Sequence, residues 1–244
     1  MSARRFFIED THAAGERVVV ADADAHKIRD VLRLRAGDAI EVVDSAGQIF
    51  DATLESVDAG VRAQLVRIID ERSDEPSVYI DVAQGIPKGQ KMDFVVEKLS
   101  ELGVASIIPL ASERAVVRDP GDAKVERWRR LAKSAAAQSG RRSILAVDKP
   151  MRFDDLIGRF ASYDLVLFPW EVATDDRKLR DALPALAAGA RRILVVIGPE
   201  GGFSHDEAER AREAGAHVMS LGRRILRTET AALVLVAILQ YMSE

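Results

Sequence analysis

The stretch Ile193-Leu194-Val195-Val196-Ile197-Gly198-Pro199-Glu200-Gly201-Gly202-Phe203-Ser204 decides how the fold is read. Its first five residues are apolar without a break. Such a run suits a strand covered on both faces, as in a parallel sheet flanked by helices. Ser204 followed by Glu207 has the spacing of a capping box, so a helix is expected over Ser204–Ala214, closed by Gly215. Between strand and helix lies a glycine-rich turn at the carboxyl end of the strand. There backbone N–H groups stand open to a ligand and no Cβ blocks approach. The glycine spacing is neither G-x-G-x-x-G nor a P-loop ending in Gly-Lys-Ser/Thr, which speaks against dinucleotide and triphosphate binding. Taken alone, the loop reads equally well as a tight turn in which Gly202 relieves strain.

A second loop follows in Ser220-Leu221-Gly222-Arg223-Arg224-Ile225-Leu226-Arg227-Thr228-Glu229-Thr230-Ala231. It joins a short strand, Val218–Leu221, to a helix, Thr230–Met242, that is apolar on nearly all sides and is expected to be buried. Three arginines, a glutamate and two threonines beside a buried segment need partners, and such a cluster points to a site. The competing reading is local: Thr228 or Thr230 caps the helix and Glu229 favours its N-terminal end.

Further out, Val78–Gln84, Ala105–Leu110 and Leu165–Phe168 read as strands, alternating with helices at Met92–Leu102 and Val125–Gln138. Met92, Val95, Val96, Leu99 and Leu102 share one helical face. This rhythm predicts an α/β domain with a mostly parallel sheet. The first 70 or so residues differ. Arg17–Val20, Ala39–Val43, Gln48–Glu55 and Val61–Ile69 are short, Val- and Ile-rich strands, with one helix near Ala23–Leu34 whose apolar face takes Ile28, Val31, Leu32 and, at its end, Leu34. They suggest a small barrel of a kind that often binds RNA. The polar run Asp70–Pro76 reads as a linker, which gives two domains, 1–72 and 73–244.

Composition narrows the class. The chain has 244 residues, 48% hydrophobic and 30% charged, enough to build a core and remain soluble. It has no cysteine, which removes disulfides, thiolate metal sites and cysteine nucleophiles and fits a reducing compartment. His12, His26, His205 and His217 lie too far apart in sequence to suggest a metal site, so no metal is expected; His26 reads as structural or RNA-facing. The N-terminus lacks a signal-peptide pattern, and the longest apolar run, Ala231–Leu239, is too short to span a bilayer. A cytoplasmic protein with no membrane partner is expected. The net charge is −4, yet nine Lys and Arg between Arg114 and Arg142 face only Asp119, Asp122 and Glu126. That segment is either a phosphate-facing surface or a solvated helix face.

Together the motifs carry a resemblance. Gly198-Pro199-Glu200-Gly201-Gly202-Phe203-Ser204 with Glu207, followed by Leu221-Gly222, Arg224-Ile225-Leu226-Arg227 and Glu229-Thr230-Ala231, resembles the paired signature of the RsmE-type 16S rRNA (uridine-N3) methyltransferases of the SPOUT superfamily. Val31-Leu32-Arg33-Leu34 with Gly37-Asp38 is similar to the start of that family's PUA-like domain. The block from Lys88 through Lys91-Met92-Asp93 to Gly103, and Gln138-Ser139 with Arg141, are similar to its middle blocks. The resemblance runs through nearly the whole chain in order. One departure is Ala137, where relatives often carry a glutamate, so no role of that acid transfers to this chain.

The resemblance implies a C-terminal SPOUT α/β domain with a deep trefoil knot, preceded by a small PUA-like β-barrel, and S-adenosylmethionine as methyl donor. By analogy the cofactor pocket comprises Leu167, Phe168 and Pro169, then Ile197, Gly198, Glu200 and Gly201, then Leu221, Gly222, Ile225, Leu226 and Arg227. Glu229 is the implied base for a uridine N3–H. Arg227 either stabilises the resulting anion or holds the cofactor. The implied partner is 16S rRNA within the small ribosomal subunit, and the implied assembly a homodimer. Arg4, Arg5, Arg33, Arg35, Lys88, Lys91, Arg114 and Arg141 are the candidate RNA contacts. Two rival readings remain at this point. A SPOUT methyltransferase of another RNA such as tRNA would share both loops, and a non-catalytic ribosome-assembly protein would need neither.

Overall fold

The computed structural model describes residues 4–58, 60–70, 78–173, 183–184 and 187–243. The chain divides into two compact units, Met1–Glu75 with Lys133–Ile144, and Pro76–Ala132 with Leu145–Glu244. The expected linker and the boundary at 72/73 lie largely outside the described residues.

The first unit holds β1 (Arg5–Phe7), β2 (Arg17–Val19), β3 (Ala39–Val43), β4 (Ile49–Ser56) and β5 (Arg62–Asp70) in the sheet order β1-β3-β4-β5-β2. β1 runs parallel to β3 and the remaining pairs are antiparallel. Register shifts along β4 and β5 help curl the sheet into a half-barrel. Alternation along β4 sends Phe50, Ala52 and Leu54 into a core shared with Val42, Ala63 and Leu65. β1 escapes the sequence reading because Arg5-Phe6-Phe7 is too short to show alternation.

The expected helix over Ala23–Leu34 is corrected. A single turn, α1 (Asp22–His26), passes into a π-helical turn over Lys27–Val31, closed by Leu32 N–H to Lys27 O at 2.9 Å. This i→i−5 closure widens the turn and breaks the 3.6-residue period. Ile28 is fully buried, whereas Val31, expected on the apolar face, is 64% exposed. Ala136 and Ala137 pack with Phe7, Val43 and Ile49, and Lys133 Nζ lies 2.7 Å from Asp24 Oδ2. Ala137 is buried there, its methyl group packed against Phe7, Val43 and Ile49.

The second unit contains β6 (Tyr79–Gly85), β7 (Ser106–Ala111), β8 (Ala146–Val147), β9 (Met151–Arg152), β10 (Leu165–Pro169), β11 (Arg192–Ile197) and β12 (His217–Met219). The order is β12-β10-β11-β6-β7-β8, with β9 also paired to β7, and the pairs among the described residues are parallel. α2 (Lys91–Glu101), the first part of α3 (Asp122–Ser139) and α6 (Thr228–Ser243) pack on one face; α4 (Phe153–Ile157) and α5 (His205–Glu213) pack on the other. The apolar runs follow from this double cover. Leu165, Leu167, Ile193 and Val195 point toward α2 and α6, while Val166, Phe168, Leu194 and Val196 point toward α4 and α5. The capping box forms as expected: Glu207 N–H donates to Ser204 Oγ, and Ser204 N–H donates to Glu207 Oε2.

The last helix departs from expectation. Ala232, Leu235, Val236 and Leu239 of α6 are buried, but Val234, Ile238, Tyr241 and Met242 are exposed, Tyr241 by 83%. Thus one apolar face of α6 is covered by this chain and another is open. Among the described residues no helix is long and apolar enough to cross a membrane.

Candidate functional site

The site is built where three parallel strands end side by side. β10 lies between β11 and β12, with Leu167 level with Val195 and Pro169 level with Met219. The loops leaving β11 and β12 therefore rise next to the end of β10. With Lys91 of α2 and Ala231 of α6 they enclose a cavity of about 680 Å³. A volume of that order suits a ligand of drug or cofactor size.

Nine of the twelve residues expected at a cofactor line this cavity: Pro169, Ile197, Gly198, Glu200, Leu221, Gly222, Ile225, Leu226 and Arg227. Three do not. Leu167 and Phe168 are fully buried on opposite faces of the sheet, Phe168 against Phe203 with ring centroids 4.3 Å apart. Gly201 is also absent from the lining: a Cβ there would stand 3.1 Å from Arg114 Cβ, and its carbonyl accepts from Arg114 Nη1 at 3.3 Å.

Other residues bind the two loops together without having been expected there. Gln84 Nε2 donates to Thr228 Oγ1 at 2.7 Å, and Thr228 Oγ1 donates to Gly198 O at 2.5 Å. The Gly198 carbonyl only accepts, so Thr228 must spend its proton on it and receive from the Gln84 amide nitrogen. That fixes the orientation of the amide and leaves Gln84 Oε1 buried without a partner. Beside it, a Cβ on Gly85 would sit 2.3 Å from Pro199 N, so only glycine lets β6 end beneath the loop. Neither residue carries a local signal. What places them is the register of β6 on β11, which sets Gln84 against Ile197.

The charged residues at the cavity are arranged around Lys91. Its Nζ lies 2.9 Å from Glu200 Oε1 and 3.9 Å from Glu229 Oε2. Glu200 also accepts from Lys88 N–H at 3.1 Å. Burial pushes the Glu200 carboxyl up, but Lys91, its own backbone N–H and the Lys88 N–H outweigh burial and hold it below the usual range. Glu229, in the first turn of α6, has its Oε2 buried with no hydrogen-bond donor. Thus a carboxylate with spare acceptor capacity stands behind Arg227 and Thr228, 3.9 Å from the Lys91 ammonium.

The expected RNA contacts fall into separate groups. Arg4, Arg33 and Arg35 are exposed on the first unit, Arg33 with a φ of +53°. Arg5 is not available in the same way: its guanidinium pairs with Glu41 and donates to the Gly140 and Arg141 carbonyls. Arg141 donates to Ser143 Oγ at 3.2 Å, and burial lowers its pKa from the ordinary arginine value. On the second unit Lys88 and Arg114 are exposed, whereas Lys91 belongs to the cavity and its carboxylates. His26 is exposed and hydrogen-bonds to Asp30. Among the described residues no three His, Asp or Glu gather as they would around a metal ion.

The cavity is chemically mixed. Pro169, Ile197, Leu221 and Leu226 offer apolar walls, and Lys91, Glu200 and Arg227 offer charge. Gly222, at a φ of +125° and with open space where a Cβ would stand, lets the loop turn tightly at the cavity wall. Apolar walls suit a purine, and paired charges suit an amino-acid end group, so the residues present fit S-adenosylmethionine.

Comparison with known proteins shows the family. Residues 74–240 match the RNA methyltransferase domain family, and residues 15–60 match the RNA methyltransferase PUA domain. The chain is 32% identical over 250 residues to ribosomal RNA small subunit methyltransferase E of Bacillus subtilis, covering 99% of this chain and 97% of that one. It is similar in structure to the enzyme of the same name from Neisseria gonorrhoeae bound to S-adenosylmethionine, with a TM-score of 0.85, 30% identity and 98% of each chain covered. A methyltransferase from Legionella pneumophila in complex with the same cofactor gives a TM-score of 0.87 at 29% identity, over 99% of this chain and 98% of that one.

Proposed function

Because the chain belongs to the RNA methyltransferase family, we propose that it methylates N3 of a uridine in 16S ribosomal RNA of the small subunit, with S-adenosylmethionine as donor. The observation that carries this reading is the cavity closed by the Gly198 and Leu221 loops, lined by apolar residues together with Lys91, Glu200 and Arg227.

The cofactor supplies an already activated methyl group on a sulfonium. What the chain must do is hold the acceptor in line and take away an imide proton. Pro169, Ile197, Leu221 and Leu226 would exclude water around the adenosine end. Glu229 is the candidate to receive the N3 proton; it lies off the cavity lining with its Oε2 buried 3.9 Å from Lys91 Nζ, so this role requires the carboxylate to turn toward the substrate. Arg227, lining the same cavity, faces the negative charge left on the uracil carbonyls.

The finer architecture belongs to the same proposal. The last part of the chain threads a trefoil knot, a reading supported by Thr228 reaching back to Gly198 and by Gly85 underlying Pro199. Residues 1–72 act as the PUA-like RNA-binding domain. Two copies assemble through the open apolar face of α6, and the work is done in the cytoplasm.

The test is incubation of the protein and S-adenosylmethionine with unmethylated small subunits and with free 16S rRNA, read by primer extension. Methylation at N3 blocks the pairing edge of uracil, so one new stop opposite a uridine is expected. Saturable cofactor binding with no methyl transfer to either substrate would overturn the assignment.

A further inference from the structure

We propose that Arg223 and Arg224 form a phosphate clamp at the mouth of the cavity, taking the RNA backbone beside the target nucleotide. The proposal rests on the methyltransferase reading above and adds to it the place where the substrate's backbone is held.

The argument starts from charge pairing. Several arginines of this acidic chain are matched to carboxylates: Arg17 with Glu55, Arg67 with Asp51, Arg127 with Asp93 and Arg210 with Asp154. Arg223 and Arg224 are exposed, both line the cavity, and no ion pair to either is found among the described residues. Their position is set by the backbone. Ser220 Oγ accepts from Gly222 N–H at 3.2 Å and donates to Gly222 O at 3.1 Å, closing a tight turn. Gly222 then takes a φ of +125°, a conformation that L side chains rarely adopt. Two adjacent arginines follow that turn directly, with Ile225 after them 85% exposed.

The occupant follows from connectivity. A nucleotide whose base enters the cavity remains tied to a phosphate on each side, and these must come to rest at its mouth. A guanidinium presents a planar fork that matches phosphate oxygens. A net charge of −4 repels RNA at long range, so local cations at the entrance are needed to offset it. The cofactor's carboxylate is the other anion in reach. Lys91 and Arg227 line the same cavity, so the cofactor affinity of a variant lacking both exposed arginines separates the two anions.

The double variant Arg223→Ala/Arg224→Ala tests this against in vitro transcribed 16S rRNA, with binding measured across a salt series and cofactor binding measured by calorimetry. Losing two phosphate contacts lowers the slope of log affinity against log salt by about 1.4 for single-stranded RNA. The cofactor dissociation constant should stay within about twofold, and Arg223→Lys/Arg224→Lys should restore the slope because the charge returns. An unchanged slope overturns the clamp. So does a cofactor affinity that falls about tenfold while the slope holds, since that places the pair on the cofactor. Failure of the wild-type protein to bind S-adenosylmethionine would strike the methyltransferase reading instead, a result separable from either.

Discussion

Thr228 donates its hydroxyl proton to the carbonyl of Gly198 at 2.5 Å, so a side chain at the start of the last helix fastens the loop that leaves β11, 30 residues earlier. Gln84 completes the chain by donating to Thr228 at 2.7 Å. Removing the hydroxyl strands both neighbours, and an unmet buried group costs about 1–3 kcal/mol. Thr228→Val should lower thermal stability and weaken cofactor binding by about tenfold, whereas Thr228→Ser should preserve both. Equal behaviour of the two variants in calorimetry would remove the hydroxyl from the account.

Gly85→Ala tests the close approach beneath the same loop. The added methyl would lie 2.3 Å from Pro199 N, a backbone atom that cannot swing aside. Overpacking of this kind costs about 1–3 kcal/mol or more, and relief requires the loop to lift. The expected result is a lower melting temperature together with loss of saturable cofactor binding.

Glu229→Gln keeps size and removes the acceptor of the proton. If Glu229 is the base, the single-turnover rate falls by about 10²- to 10⁴-fold, while the cofactor dissociation constant changes little. A normal rate in rapid-quench measurements would exclude that role.

Lys91→Met has a pH signature. Glu200 titrates below its ordinary value in the folded protein, so it contributes stability above the unfolded carboxylate range, and this contribution disappears as pH falls through the folded value. Lys91 is one of the groups that hold it there. The melting temperature of Lys91→Met should therefore lie below wild type near pH 7, and the gap should close at pH values below the ordinary carboxylate range. A gap independent of pH would mean that the lysine acts through packing alone.

Tyr241→Ser probes the open face of α6. At 83% exposure the ring adds little to the fold of one chain. Sedimentation should show dimers in wild type and a concentration-dependent shift toward monomers in the variant, with an unchanged far-ultraviolet spectrum.

The parts legible in the sequence are those whose signal is local. Leu194 and Val196 read as a doubly covered strand, and Ser204 with Glu207 reads as a helix start, because each pattern is complete within a few residues. The two loops stand out for their glycines and arginines. Gln84 and Gly85 are silent, since their role depends on the register of β6 against a strand more than 100 residues later. Lys91 looks like any exposed cation until α2 brings it to Glu200. Residues 133–144 fall with the first unit although they are separated from it in sequence, a grouping that no linear pattern announces. Val31 misleads because a wide turn shifts the helical phase.

The cavity draws its walls from Lys91 through to Ala231, and its last wall arrives with α6. On the proposed reading, a nascent chain that stops short of Thr228 has nothing able to grip the methyl donor. Fragments lacking α6 are expected to be inert, because the loop after β11 is fastened only when the helix that follows it in sequence is in place.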